Sequence, residues 1–237
     1  MKSKKEKLRQ QIWDLLSEKE VGAFPFPLEG RIPNFKGSNE AARRLAETSV
    51  FRSADTVKAN PDAPQRKARE LALRQGKRLF MAVPRLRSDK PFMEINPGDN
   101  TDPSKAVTIK GSKRFGIPRT VGELPFIDLI IAGSVAVHRD GRRLGKGGGY
   151  SDLEFALAAE DGKIGGQTLV VTTVHPLQIV DSEIPFESHD VPVDLIVTPH
   201  EVIETNTRFQ RPQGIIADIL SDSYLEEIPA LAEYQGN

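Results

Sequence analysis

Arg143-Leu144-Gly145-Lys146-Gly147-Gly148-Gly149-Tyr150-Ser151-Asp152 is the stretch around which the chain is organised. It places four glycines and one lysine within five successive positions. Residues 129–137 before it form an apolar run typical of a buried strand, and residues 153–159 after it are typical of a helix. A basic, glycine-rich loop between a strand and a helix can surround a phosphate with backbone N–H groups. The same composition also fits a flexible connection, so both interpretations stay open at this point.

The composition indicates one large domain without a general polyanion-binding surface. The 237 residues carry 33 basic and 33 acidic side chains, so no nucleic-acid partner is expected. Cysteine is absent, which excludes disulfides, thiol nucleophiles and cysteine-based metal sites. No apolar run is long enough to cross a bilayer, and we expect no membrane association and a cytoplasmic location. The oligomeric state is left open.

The predicted elements alternate between helices and strands. Helices are expected over residues 4–20 and 38–49, and a basic helix should end at Gly76. Strands are expected to begin at Val50-Phe51 and to cover residues 79–83, 129–137, 169–174 and 195–198. Residues 87–123 are interpreted as an irregular polar segment. This alternation is typical of an α/β fold with a mainly parallel sheet covered by helices.

The chain is predicted to divide into a domain and a tail. Residues 1–205 contain the predicted α/β alternation, and residues 206–237 form a C-terminal tail. We expect a short helix near 214–221 to pack the tail on the domain.

Two basic and two acidic side chains have both a functional and a structural interpretation. Lys5 and Arg9 stand four apart and can project from one helix face, for which a solvated surface is the simpler explanation. Asp152 could hold Mg²⁺ against phosphate oxygens, or could interact with the dipole of the helix that it begins. Asp190 precedes the last predicted strand, where it could be a second metal ligand or a turn residue.

Two other kinds of catalytic site are not favoured. The four histidines, at positions 138, 175, 189 and 200, show no spacing typical of a zinc site. Gly133-Ser134-Val135 lacks the frame of a hydrolase nucleophile elbow. The glycine stretch therefore remains the strongest functional signal.

Taken together, these residues resemble the 5-formyltetrahydrofolate cyclo-ligase (methenyltetrahydrofolate synthetase) family, from Lys5 to about Thr198. Four motifs carry the resemblance: Lys5-x-x-x-Arg9, Gly76-Lys77 before a strand ending in Pro84-Arg85, Arg143-Leu144-Gly145-x-Gly147-x-Gly149-Tyr150-x-Asp152, and His189-Asp190-x-x-x-Asp194. The resemblance implies a three-layer α/β/α sandwich with a mainly parallel sheet, related to ribose-phosphate-isomerase and CoA-transferase-like folds.

The resemblance also implies an ATP- and Mg²⁺-dependent ligase that converts 5-formyltetrahydrofolate to 5,10-methenyltetrahydrofolate. In that reaction the formyl oxygen takes the γ-phosphate, N10 attacks the activated carbon, and phosphate departs. Asp152 and Asp190 are the implied metal ligands, and Lys146 and Tyr150 the implied catalytic residues. The implied nucleotide-binding residues are Lys5, Arg9, Arg143, Leu144, Gly145, Lys146, Gly147, Gly148, Gly149, Tyr150 and Ser151.

Departures from the family pattern resemble a distinct branch, which includes cyclo-ligase-like and methenyltetrahydrofolate synthetase domain-containing proteins. Gly148 stands where working members carry Lys, Ser151 stands where they carry a second Tyr, and residues 56–65 replace their substrate-binding stretch. We predict that Lys58, Asn60 and Arg85 contact the small-molecule substrate, a reduced folate or related heterocycle. The alternative is a paralogue without cyclo-ligase activity. Such a paralogue would act on another small heterocycle, for example a thiamin-related compound, or serve as a nucleotide-binding regulatory module.

Overall fold

A computed structural model of the protein describes residues 2–98, 102–220 and 222–234. The helices are α1 (Lys2–Glu18), α2 (Ser38–Ala46), α3 (Ser49–Ser53), α4 (Arg66–Arg74), α5 (Pro103–Ala106), α6 (Ile109–Phe115), α7 (Tyr150–Glu160) and α8 (Asp222–Glu227). The strands are β1 (Thr56–Ala59), β2 (Arg78–Ala82), β3 (Phe92–Ile95), β4 (Ile117–Arg119), β5 (Leu129–Ala132), β6 (Ala136–Val137), β7 (Arg143–Leu144), β8 (Leu169–Thr173), β9 (Leu195–Val197) and β10 (Val202–Glu204). None of the helices in these ranges is long and apolar enough to span a bilayer.

The central sheet has the strand order β10-β9-β8-β5-β1-β2-β3-β4. Strands β9, β8, β5, β1 and β2 are parallel, whereas β10 at one edge and β3 and β4 at the other are antiparallel. Strands β6 and β7 form a separate antiparallel pair. The predicted α/β fold with a mainly parallel sheet is confirmed.

Successive strand residues bury their side chains on opposite faces of the sheet. In β2, Leu79 and Met81 belong to the apolar cluster that also contains residues of α2 and α4. Phe80 and Ala82 belong to the second cluster, which contains residues of α7 and of the C-terminal tail. Because helices cover both faces, the sheet is the middle of three layers. The carboxyl ends of its parallel strands lie along one side of the sheet, and ligands bind at that side in open α/β sheets.

The prediction of a strand beginning at Val50-Phe51 is wrong. These residues lie in the short helix α3, because Thr48 caps its first turn by accepting a hydrogen bond from the Phe51 amide at 3.2 Å. The strand begins at Thr56 instead. A local side-chain cap therefore outweighs the strand preference of two β-favouring residues.

The interpretation of residues 87–123 as irregular is also wrong where the structure describes them. They contain β3, α5, α6 and β4, which extend the sheet and cover its edge. Thr108 caps α6, and its hydroxyl accepts from the Gly111 amide at 2.9 Å. The prolines that suggested a loop lie at element ends or in the edge strand β4, where the missing N–H is tolerated. Residues 99–101 of this predicted segment lie outside the described residues.

The apolar run over residues 129–137 is two strands rather than one. Strand β5 ends at Ala132, and β6 begins at Ala136 after a turn through Gly133 and Ser134. Strand β6 leaves the sheet to pair with β7, the strand that leads into the glycine stretch. Burial alone could not reveal this break, because residues on both sides of it are buried.

The tail packs on the domain through apolar side chains. Ile228, Ala230 and Leu231 are buried in the cluster that covers one face of the sheet. The predicted helix near 214–221 is misplaced, since residues 214–220 contain only a 3-10 turn over Ala217–Ile219 and helix α8 follows at Asp222–Glu227. Residues 221 and 235–237 of the tail lie outside the described residues, and the division at residue 205 stays a prediction.

The carboxylate of Glu94 in β3 forms ion pairs with arginines of the neighbouring strands β2 and β4. We therefore expect Glu94→Gln to lower the free energy of unfolding by about 2 kcal/mol at pH 7. The buried carboxylate accepts hydrogen bonds from Arg78 of β2 at 2.6 and 3.0 Å and from Arg119 of β4 at 2.7 Å. Burial raises the pKa of Glu94, but the two arginines outweigh burial and hold it below its usual value. Urea unfolding of both proteins measures the difference.

The pH dependence follows from the direction of that pKa. A carboxyl with a lowered folded pKa stabilises the protein above its unfolded pKa, and this contribution is lost as pH falls through the folded value. The difference in the free energy of unfolding between wild type and Glu94→Gln should therefore become smaller in acid. Glu201→Gln, which removes an exposed ion pair of 3.6 Å with Arg139, is the control and should change stability by no more than about 0.5 kcal/mol. An equal effect of the two substitutions would contradict the prediction.

Candidate functional site

Helix α1 brings two basic side chains to the glycine stretch. Its apolar residues Leu8 and Ile12 pack in a cluster with residues of β6 and β7, so the same face points at the loop. Lys5 and Arg9 are both buried, and Arg9 Nε donates to the Gly145 carbonyl at 2.7 Å. The simpler explanation of a solvated face is therefore wrong for this pair. The four-residue spacing delivers two cations to one site.

The glycines let the loop approach the Arg9 guanidinium closely. Gly147 has φ 106°, and a Cβ at this position would lie 3.3 Å from Arg9 Cζ. Gly149 has φ 63° and precedes α7 as its N-cap residue. Both residues adopt the left-handed conformation that glycine tolerates best. The loop backbone therefore lies against the buried Arg9 guanidinium and leads into the N-terminus of α7, a setting in which a phosphate is stabilised.

Arg143 is fixed beneath this loop. Its Nη1 donates to the Gly133 carbonyl at 2.8 Å, and its Nη2 donates to Asp152 Oδ1. The Val191 amide donates to the same carboxylate oxygen at 3.2 Å. The ion pair ties β7 to the first turn of α7, and the Val191 contact brings Asp152 next to the segment that carries Asp190.

Asp190 belongs to a cluster of three possible metal ligands within the described residues. Single ligand atoms of Glu187, His189 and Asp190 lie within 4.8 Å of one another. Lys5 Nζ lies 2.8 Å from Glu187 Oε2 and 2.7 Å from Asp190 Oδ2. The hydrogen bond from Lys5 holds the pKa of Glu187 below its usual range. Carboxylate oxygens are the ligands that Mg²⁺ prefers, so Glu187, Asp190 and Asp152 fit that ion, whereas the imidazole of His189 suits softer metals.

Lys146 reaches away from the loop toward the segment after β1. Its Nζ lies 2.9 Å from Asp62 Oδ1, and its side chain is half exposed. Leu144 is buried in the cluster beneath α1. Each of the four cations of the candidate site has a carboxylate partner: Lys5, Arg9, Arg143 and Lys146. An anionic ligand would exchange one or more of these internal ion pairs for its own.

A buried polar network lies behind the loop on the α7 side of β1. Lys58 Nζ forms an ion pair with Glu154 of α7, and Asn60 Nδ2 donates to the same carboxylate at 3.3 Å. Asn60 Oδ1 accepts from the Gly133 amide at 3.1 Å and from the Ser151 hydroxyl at 3.2 Å. Lys58 and Asn60 are thus brought together with the glycine stretch, and both are buried with internal partners.

Arg85 does not join that network. It is exposed in the turn after β2, with φ 58°. Within the described ranges, no hydrogen bond or ion pair connects Arg85 with Lys58 or Asn60. The structure therefore places two of the three predicted substrate residues, Lys58 and Asn60, in one network.

Tyr150 is covered by an aromatic residue of the tail. The ring of Tyr224 packs edge-on against Tyr150 with 5.6 Å between centroids, and its hydroxyl donates to the Gly148 carbonyl at 2.6 Å. Burial raises the pKa of Tyr224, which keeps this hydroxyl a donor. Sequence reasoning missed this residue.

Glu187, Asp62 and Glu154 were also missed. Glu187 precedes Asp190 by three positions, and Asp190 Oδ2 accepts from the Glu187 amide at 2.7 Å, so an acid three residues before a turn aspartate was an available signal. Asp62 and Glu154 meet cations that are far away along the chain, and no local pattern marks such partners.

Comparisons with known proteins identify the family of the chain. The model of the 5-formyltetrahydrofolate cyclo-ligase family matches residues 1–199. The chain belongs to the 5-formyltetrahydrofolate cyclo-ligase family. The family match includes every predicted site residue and stops before the tail.

Curated relatives fall into two groups. The methenyltetrahydrofolate synthase domain-containing protein of Mus musculus is 41% identical over 96% of this chain and 62% of its own length. The protein of that name from Bos taurus is 39% identical over 96% of this chain and 60% of its own length. The chain thus spans less than two thirds of these relatives. The mitochondrial 5-formyltetrahydrofolate cyclo-ligase of Arabidopsis thaliana is 36% identical, but over only 35% of this chain and 31% of its own.

A solved structure supports the fold. The NMR structure of 5,10-methenyltetrahydrofolate synthetase from Aquifex aeolicus aligns with a TM-score of 0.53 at 19% identity, covering 85% of this chain and 93% of that chain. The prediction of the family and of its α/β architecture is confirmed.

Proposed function

We propose that this cyclo-ligase family member is an ATP- and Mg²⁺-dependent ligase that closes a ring on a reduced folate, converting 5-formyltetrahydrofolate to 5,10-methenyltetrahydrofolate. The observation that carries the proposal is a set of three buried cations around one site: Arg9 contacts the backbone of the glycine loop, Arg143 contacts Asp152, and Lys5 contacts Asp190. A cytoplasmic location is part of the same proposal.

The proposed roles follow from charge and position. Lys5, Arg9 and Lys146 bind phosphate oxygens and stabilise the charge that develops on them during transfer, which phosphoryl transfer needs more than a protein nucleophile. The backbone of residues 145–149 and the first turn of α7, including Ser151, orient the nucleotide. Tyr150 positions the loop against the reacting groups. Asp152 and Asp190 would hold Mg²⁺, which supplies neutralising charge at the phosphates.

The proposal is tested by mixing the protein with 5-formyltetrahydrofolate and Mg-ATP. We expect the absorbance of the methenyl product to rise only when ATP is present, since the ring closure depends on phosphoryl transfer. Calorimetric titration with Mg-ATP accompanies the assay. Absence of product from a protein that binds Mg-ATP would exclude the folate reaction while leaving the nucleotide site intact.

The buried pairing of Lys58 with Glu154 favours a second candidate function. Because Lys58 and Asn60 are already satisfied by Glu154, a pterin would have to displace an internal ion pair at this position. A paralogue that acts on a smaller heterocycle, such as a thiamin-related compound, or one that only binds nucleotide, avoids that cost. Thermal-shift measurements with Mg-ATP and each class of heterocycle distinguish the candidates, and preferential stabilisation by folate would contradict this second one.

A further inference from the structure

An open cleft lies between the start of α7 and the C-terminal tail. Leu153 and Ala156 of α7 form one wall. The opposite wall belongs to the tail and is largely apolar, with Ile215, Ile216, Leu220 and Tyr224. One apolar wall facing another suits a flat, uncharged ring.

The cleft is continuous with the glycine loop. Gly149 and Asp152 line it, so its inner end is the first turn of α7, and His189 lies at the same polar end. If a ligand binds the loop through its phosphates, the group attached to those phosphates would therefore lie in this cleft. Phosphate groups themselves are excluded from the apolar part, because desolvating an ionised group is costly.

The tail wall is held firmly in place. The Tyr224 hydroxyl donates to the Gly148 carbonyl, and a Cβ at Gly149 would lie 2.9 Å from that hydroxyl. Glu227 of α8 forms an ion pair of 2.7 Å with Arg87, and Ile228 is fully buried. The cleft is therefore largely pre-formed and needs no ordering of the tail when a ligand enters.

We propose that this cleft holds the purine base of the nucleoside triphosphate whose phosphates the glycine loop binds. The inference rests on the proposed nucleotide-binding function and adds that residues beyond the family match, which stops at residue 199, form one wall of the base site. The tail thereby determines which phosphorylated ligand is bound, and Tyr224 is a positioning residue that joins the two halves of the site.

The test compares Mg-ATP with Mg-tripolyphosphate, which carries the phosphates without the base. Calorimetric titrations of the full chain are expected to show tighter binding of ATP. Ile216→Asn places a polar amide in the apolar wall and should weaken ATP binding about 10-fold while leaving tripolyphosphate affinity within about 2-fold. Ala217→Asn, which introduces the same residue at an exposed neighbouring position outside the cleft, is the control and should change neither affinity.

The outcomes separate the inference from the function on which it rests. Equal wild-type affinities for ATP and tripolyphosphate, or an equal loss of both in Ile216→Asn, would overturn the base site alone. Failure of both ligands to bind the wild type would overturn the proposed nucleotide site and this inference with it. If Ile216→Asn does not fold, Ile216→Ala takes its place and should weaken ATP binding to a smaller extent while sparing tripolyphosphate.

Discussion

Replacement of Arg69 by Met is expected to lower the free energy of unfolding by about 4 kcal/mol, the largest stability effect that we predict for a single substitution. Arg69 lies on α4 and is buried, and no apolar residue can replace the hydrogen bonds that it makes. Urea unfolding followed by circular dichroism measures the loss.

The size of the effect follows from what the guanidinium contacts. Arg69 Nη1 donates to the carbonyls of Asn60 and Asp62, and Nη2 donates to the Pro61 carbonyl at 3.2 Å. Nε donates to the Val107 carbonyl at 3.1 Å. Burial lowers the pKa of Arg69 to about 9, which leaves it charged at neutral pH. Without Arg69, these four carbonyls would lack its hydrogen-bond donors, and each one that water cannot reach would cost about 1–3 kcal/mol.

Arg69 also supports the site, because it holds the segment that presents two functional side chains. Asn60 contacts Glu154 and the Gly133 amide, and Asp62 contacts Lys146. Arg69→Lys, which retains the charge but offers fewer directed donors, should be destabilised to an intermediate extent and should bind Mg-ATP more weakly than wild type.

The control for Arg69 is Arg66→Met on the same helix. Arg66 is exposed and makes one hydrogen bond of 3.1 Å to the Ser104 carbonyl, so its loss should change stability by no more than about 0.5 kcal/mol. If the two Met substitutions had equal effects, the role assigned to the buried carbonyl contacts would be incorrect.

The sequence predicted the parts of this protein that depend on local pattern. The continuous apolar run of β2 and the glycine at the end of α4 follow from rules that act over a few residues, and the structure agrees with them. The break of the run over residues 129–137 depends instead on β6 finding β7 as its partner. Such long-range pairing leaves no trace in hydrophobic periodicity.

The residues of the candidate site also differ in whether local sequence could predict them. The glycine stretch, Asp152 and Asp190 could be predicted because they belong to sequence motifs with characteristic spacing. Glu154 and Tyr224 were not, since their roles come from contacts with Lys58 and with the Gly148 carbonyl. Partners of this kind depend on the assembled fold and not on neighbours in the chain.

Lys5 illustrates how burial changes the interpretation of a charged residue, and its substitution should have the largest effect on ligand binding. We expect Lys5→Gln to weaken Mg-ATP binding about 100-fold, the loss that corresponds to one strong charge-assisted hydrogen bond to phosphate of about 2.7 kcal/mol. Isothermal titration calorimetry with Mg-ATP measures the change. Lys7→Gln, on the same helix but exposed, removes the same charge and should leave the affinity within about 2-fold because solvent screens it.

A second measurement separates ligand binding from a structural role for Lys5. In the wild type, the hydrogen bond from Lys5 holds the pKa of Glu187 below its usual range. The stability from this pair is present above the unfolded pKa and disappears as pH falls through the lowered folded value. Lys5→Gln should lose this acid-dependent stability and should also bind divalent cations more readily without nucleotide, because Glu187 and Asp190 no longer share a cationic partner. If Lys5 served only to dock α1, the variant would lose stability and retain wild-type affinity for Mg-ATP once folded.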